Sequence, residues 1–118
     1  MSVLGELQPN KVFKYFEEIC SIPHGSRNLQ QISDYLVDFA KAHELKYRQD
    51  EDLNVIIWKD GSKGYEASEP VILQGHMDMV AVKEADCDKD MEKEGLDLEI
   101  NGDYISAKGT SLGGDRSE

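Results

Sequence analysis

Val71-Ile72-Leu73-Gln74-Gly75-His76-Met77-Asp78 is the stretch on which the reading of this chain turns. An uncharged apolar run opening on β-branched side chains predicts a buried strand. Side chains two apart on a strand share a face, so His76 and Asp78 would point the same way at its carboxyl end. In sheets with parallel strands, ligands collect at that end. A neutral imidazole is a common zinc ligand, and a ligating histidine usually gives its other ring N–H to a carboxylate or carbonyl. His76 is therefore a candidate metal ligand, and Asp78 a candidate catalytic-site carboxylate that holds the imidazole. A further carboxylate, Asp115, follows the glycine-rich run Gly109-Thr110-Ser111-Leu112-Gly113-Gly114. It is a candidate bridge between two ions, which in co-catalytic sites sit about 3.5–4 Å apart. The tripeptide alone leaves a second reading open, a strand-end histidine satisfied by hydrogen bonds. Three His and twelve Asp in 118 residues give about 0.3 chance matches to His-x-Asp in a shuffled chain.

Working outward, two helices precede this stretch. Pro9 suits a first helical position, and Val12, Phe13, Phe16, Ile19 and Cys20 recur at helical spacing until Pro23. Ser26 is a candidate N-cap for a second helix, whose stripe of Leu29, Ile32, Tyr35, Leu36 and Phe39 runs to about Glu44. Leu45–Gln49 and Leu53–Lys59 read as strands joined around Asp50-Glu51-Asp52. Leu96, Leu98 and Ile100 alternate ahead of Asn101-Gly102, a favoured hairpin turn, and Tyr104–Ala107 returns. The expected fold is α/β, with the two amino-terminal helices packed on a mixed β-sheet and the whole chain forming one domain.

Composition restricts the function classes. With 39% hydrophobic and 31% charged residues the chain has enough apolar surface for a core. A net charge of −11 argues against nucleic acid, whose phosphates want a basic face. No apolar run approaches the ~20 residues of a membrane span, and no signal segment opens the chain, so the cytoplasm is the expected compartment. Cys20 and Cys87 form no Cys-x-x-Cys and suggest no disulfide framework. The glycine run lacks the Lys-Ser/Thr ending of a phosphate loop. Asp86, Asp88 and Asp90 invite comparison with a calcium loop, but Met91 stands where the turn needs Gly, and Asp97 where a Glu closes the site. They read as a solvated acidic loop, and His24 and His43 as turn or surface residues.

Four blocks in order carry a longer resemblance: Phe16 through Ser26, Asp52-Leu53-Asn54-Val55-Ile56, Val71 through Val80, and Ala107 through Asp115. Over residues 5 to 115 the chain resembles the aminoacyl-histidine dipeptidases (peptidase D, cytosol non-specific or Xaa-His dipeptidases), which are two-metal metallopeptidases. The resemblance implies a zinc-exopeptidase-like catalytic domain that hydrolyses Xaa-His and other dipeptides through a water activated by two divalent ions, zinc being the metal implied. It implies that His76 binds one ion, that Asp115 bridges both, and that Asp78 supports the site. The family continues past its bridging Asp with Asp or Asn and then Gly, where this chain reads Arg116-Ser117-Glu118. Its paired glutamates and remaining ligands have no counterparts here. Residues 1–118 are thus expected to be an amino-terminal part of such a domain, inactive alone. The competing reading is a non-catalytic binding or interaction module, with exposed strand edges that would favour a homo-oligomer.

Overall fold

The computed structural model describes residues 2–113, in the element order α1 (Asn10–Cys20), α2 (Gln30–Ala42), β1 (Lys46–Gln49), β2 (Val55–Trp58), β3 (Leu98–Asn101) and β4 (Tyr104–Ala107). Its contacts divide into two units, the residues up to Ile32 with those from Asp78 onward, and Ser33–Met77. No helix among the described residues is long and apolar enough to cross a membrane.

In the first unit, α1 begins after Pro9, whose missing N–H costs nothing at a helix start. Phe13, Phe16 and Cys20 line one face and pack with Leu4 and Leu98. Val12, expected on that stripe, is 59% exposed, because the helix buries only a narrow face here. The helix ends where Ser21 N–H donates to the Glu17 and Glu18 carbonyls at 3.1 and 3.2 Å, just ahead of Pro23. Strands β3 and β4 are antiparallel, with Leu98 opposite Ala107 and Asn101 opposite Tyr104. The two-residue connection is therefore Gly102-Asp103, one residue later than the Asn101-Gly102 expected. Gly102 has φ +61°, a conformation glycine takes without a Cβ clash.

The chain's start is tied down by one carboxylate. Glu17 accepts hydrogen bonds from Ser2 Oγ at 2.6 Å, Val3 N at 2.8 Å and Leu4 N at 3.3 Å, and Leu4 is buried in the core beneath. The Ser2 hydroxyl above all, with the two backbone donors, holds the Glu17 carboxyl below its ordinary 4.5. A depressed folded-state pKa stabilises the fold above the unfolded value and ceases to do so as pH falls through the folded one. Glu17→Gln is therefore expected to lower the thermal midpoint at pH 7, with the gap from the native protein closing as pH falls below 4.5. A gap that stays constant in calorimetry from pH 7 to pH 2.5 would rule this anchor out.

The second unit packs most of α2 with the β1–β2 hairpin. Val37 and Ala40 are buried, three apart on one helix face. Ser33 is fully buried and satisfied: its hydroxyl donates to Leu53 O at 2.7 Å and accepts from Gln49 Nε2 at 2.8 Å. The helix closes with Glu44 in the left-handed region (φ +56°) and Leu45 N–H donating to Ala40 O at 2.8 Å. Strands β1 and β2 are antiparallel, with Gln49 opposite Val55. Asp50 shapes their turn, its carboxylate accepting from Asn54 Nδ2, Asn54 N and Asp52 N at 3.0, 2.9 and 3.0 Å. Those bonds, the Asn54 side chain first, lower its pKa.

The α/β class and the two helices agree with the sequence reading. The β-structure differs in layout: the described strands form two separate two-stranded antiparallel sheets, and the strand expected at Val71–Gly75 is absent. Val71, Ile72 and Leu73 are 83%, 88% and 93% exposed. An apolar run becomes a buried strand only where other strands satisfy its backbone groups and other elements cover its faces. Among the described residues none does so, which leaves the described strands as two antiparallel pairs.

Candidate metal and substrate site

The three candidate residues have different placements. His76 lies on the exposed stretch at the end of the second unit. Asp78 is half-buried in the first unit, and Asp115 lies outside the described residues.

The surroundings of Asp78 are well defined. A parallel bridge pairs Gly25 with Met79: Met79 N–H donates to His24 O at 3.0 Å, and Ser26 N–H donates to Met79 O at 3.1 Å. Ser26 Oγ then donates to Asp78 Oδ2 at 2.6 Å. Sequence reasoning gave that hydroxyl to the cap of α2, but α2 starts four residues later, at Gln30. His24, expected on a turn or the surface, is only 6% exposed, its ring Nδ1 2.7 Å from Ile22 O. The backbone pairing on either side of Gly25 draws it inward.

The segment after Asp78 is stapled to the glycine-rich run. Ser111 N–H donates to Val82 O at 2.9 Å, its hydroxyl donates to Val80 O, and an antiparallel bridge joins Lys83 to Thr110. Gly109 takes φ +69° there, with room for a Cβ taken by Cys87 Sγ at 3.2 Å. A Cβ on Gly113 would stand 3.4 Å from His24 Nε2 and 3.5 Å from Met79. Residues 24–26, 78–84 and 109–113 thus form one laminated support within the first unit, which sequence spacing could not reveal.

Other titratable groups serve the fold. Burial raises the Cys20 thiol to about 11, Glu17 adding to the shift, which makes it an inert packed group. In the acidic loop, Lys89 pairs with Asp97 at 2.9 Å, and Lys83 Nζ donates to Lys89 O at 2.7 Å. One imidazole and two carboxylates are the donor chemistry a zinc-type ion accepts. Among the described residues no three His, Cys, Asp or Glu side chains gather to hold an ion.

No protein-family model matches the chain. Over 115 residues, 98% of its length, it is 38% identical to the cytosol non-specific dipeptidase of Escherichia coli (strain K12). The crystal structure of aminoacylhistidine dipeptidase from Vibrio alginolyticus matches 93% of the chain with a TM-score of 0.88 and 36% identity. The chain is a partial homologue of these dipeptidases. It spans 24% of the length of the Escherichia coli protein and 22% of the Vibrio alginolyticus chain. The mixed helix and strand content of the dipeptidase homologue is that of a partial α/β domain of the Vibrio alginolyticus structure.

Proposed function

We propose that this chain is the amino-terminal part of the catalytic domain of a two-metal dipeptidase acting on unblocked dipeptides, Xaa-His among them, in the cytoplasm. The observation that carries the reading is the 38% identity over nearly the whole chain to a dipeptidase, in an alignment long enough to take in His76, Asp78 and Asp115. His76 would ligate one ion, Asp115 would bridge two, and Asp78 would hold the His76 imidazole in one tautomer and orientation. Two zinc ions, when bound, would supply Lewis acidity to the scissile carbonyl and to water. None of the three residues acts as general base in this reading, and a positioned base contributes roughly 10² to 10⁴ in rate. The 118 residues alone are therefore expected to hydrolyse dipeptides at no measurable rate.

The test is a chimera in which this chain replaces the aligned segment of the Escherichia coli dipeptidase. With zinc it is expected to hydrolyse Xaa-His dipeptides, whereas the isolated 118 residues are not. A folded but inactive chimera would refute the assignment. The exposure of Val71, Ile72 and Leu73 favours a second reading, an interaction module that self-associates by strand addition. It requires an inactive chimera together with a mass that rises with concentration in sedimentation.

A further inference from the structure

We propose that Asn101-Gly102 is a site of spontaneous covalent modification, where the asparagine deamidates through its own backbone at a pace set by Ser106. The proposal is independent of the dipeptidase reading. Asn101 closes β3 and pairs across the ladder with Tyr104, so Gly102 opens the turn. The Gly102 nitrogen is an accessible nucleophile. Its residue is exposed, its N–H makes no hydrogen bond among the described residues, and a Cβ placed there would meet nothing within 4 Å. Asparagine is among the thermolabile side chains, and a following glycine, having no Cβ, leaves its carboxamide unhindered. The Gly102 nitrogen bonds to Asn101 Cγ as the Cγ–Nδ2 bond breaks, and ammonia leaves with the Gly102 amide proton. Water then opens the cyclic imide. Cleavage of the new bond yields aspartate, whereas cleavage of the original peptide bond yields isoaspartate, with the main chain running through Cγ. No oxidant or reductant takes part.

A directed relay holds the reaction back. Asn101 Nδ2 donates to Ser106 Oγ at 2.7 Å, and Ser106 Oγ donates to Glu99 Oε1 at 3.2 Å. The amide must leave Ser106 before Cγ can meet the Gly102 nitrogen. The same relay decides what the modification does. A carboxylate at position 101 donates nothing, so it and Glu99, two apart on one face of β3, compete as like charges for the single Ser106 hydroxyl proton. Isoaspartate also lengthens the backbone at the last pair of the ladder. Deamidation therefore loosens the β3–β4 hairpin.

The experiment incubates the folded 118-residue chain in mildly alkaline water enriched in heavy oxygen and follows each asparagine by peptide mass spectrometry. Asn101 is expected to lose ammonia and take up solvent oxygen while Asn10, Asn28 and Asn54 stay intact. Ser106→Ala should speed that loss about twofold to tenfold, the worth of one ordinary hydrogen bond. Ser106→Thr, which keeps the hydroxyl, should return it to the native rate. Asn101→Asp, which carries the product charge from the start, should unfold at a lower temperature than the native chain by circular dichroism. Adding Glu99→Gln, whose amide can donate to Ser106, should restore the midpoint. Modification of Asn101 no faster than that of the other three asparagines would overturn the site. A Ser106→Ala rate at or below native, or an acceleration that Ser106→Thr shares, would overturn the hold by Ser106. A native midpoint in Asn101→Asp, or a fall that Glu99→Gln does not reverse, would overturn the effect on the hairpin.

Discussion

His76→Ala in the dipeptidase chimera is expected to cut kcat/KM for an Xaa-His dipeptide about 10³-fold, on the order of 4 kcal/mol of transition-state stabilisation. The size follows from the proposed role. A ligand that leaves takes with it the position of an ion, and every interaction that the ion makes with the reacting carbonyl weakens together. Asp78→Asn keeps the shape and one acceptor oxygen, so its loss should be the smaller 10–100-fold typical of a partner to a ligand. His76 is exposed, and surface substitutions usually move stability by no more than about 0.5 kcal/mol, so the unfolding midpoint of each variant is measured beside its activity. A fall in activity at an unchanged unfolding midpoint would thus report on the site rather than on the fold. Turnover of His76→Ala within a few-fold of the native chimera would remove this residue from any metal shell.

Much of the secondary structure was legible in the sequence. Phe13, Phe16 and Cys20 repeat at helical spacing between Pro9 and Pro23, so α1 could be placed almost to the residue. The hairpin of β1 and β2 was readable because Asp50 and Asn54 carry their turn chemistry locally. The β3–β4 turn was displaced by one residue, since Asn101 pairs across the ladder with Tyr104 and leaves Gly102 to take the positive φ. Two features were not legible, for one physical reason. A strand is defined by its pairing partners, and Val71–Gly75 carries the pattern of a strand without displaying any partner among the described residues. The Ser26–Asp78 contact likewise depends on a segment 52 residues away, and local spacing encodes nothing about it. The positions of His76 and Asp78 in the chain were readable, but not the lamination that fixes Asp78.

Gly95→Ala is expected to destabilise the chain by about 3 kcal/mol, at the upper end of overpacking effects. Gly95 passes against the end of α1, and a Cβ there would lie 2.4 Å from Ser21 O, 2.6 Å from its carbonyl carbon and 2.7 Å from its Cα. All three are backbone atoms, so no rotamer change can relieve the clash. Either the end of α1 or the approach to β3 must move, and either movement strains the Leu96 N–H to Cys20 O hydrogen bond of 2.8 Å and the packing of Cys20 with Leu98. Gly75→Ala supplies the control, because a Cβ there meets nothing within 4 Å. It should leave stability within about 0.5 kcal/mol of native. Urea unfolding of the two variants reads the difference directly, and equal midpoints would show that the Ser21–Gly95 contact gives way without resistance. The clash also reaches the site. Ser21 leads by five residues to Ser26, so displacing it shifts the donor end of the 2.6 Å bond on Asp78, and Gly95→Ala should loosen that carboxylate without touching any candidate ligand.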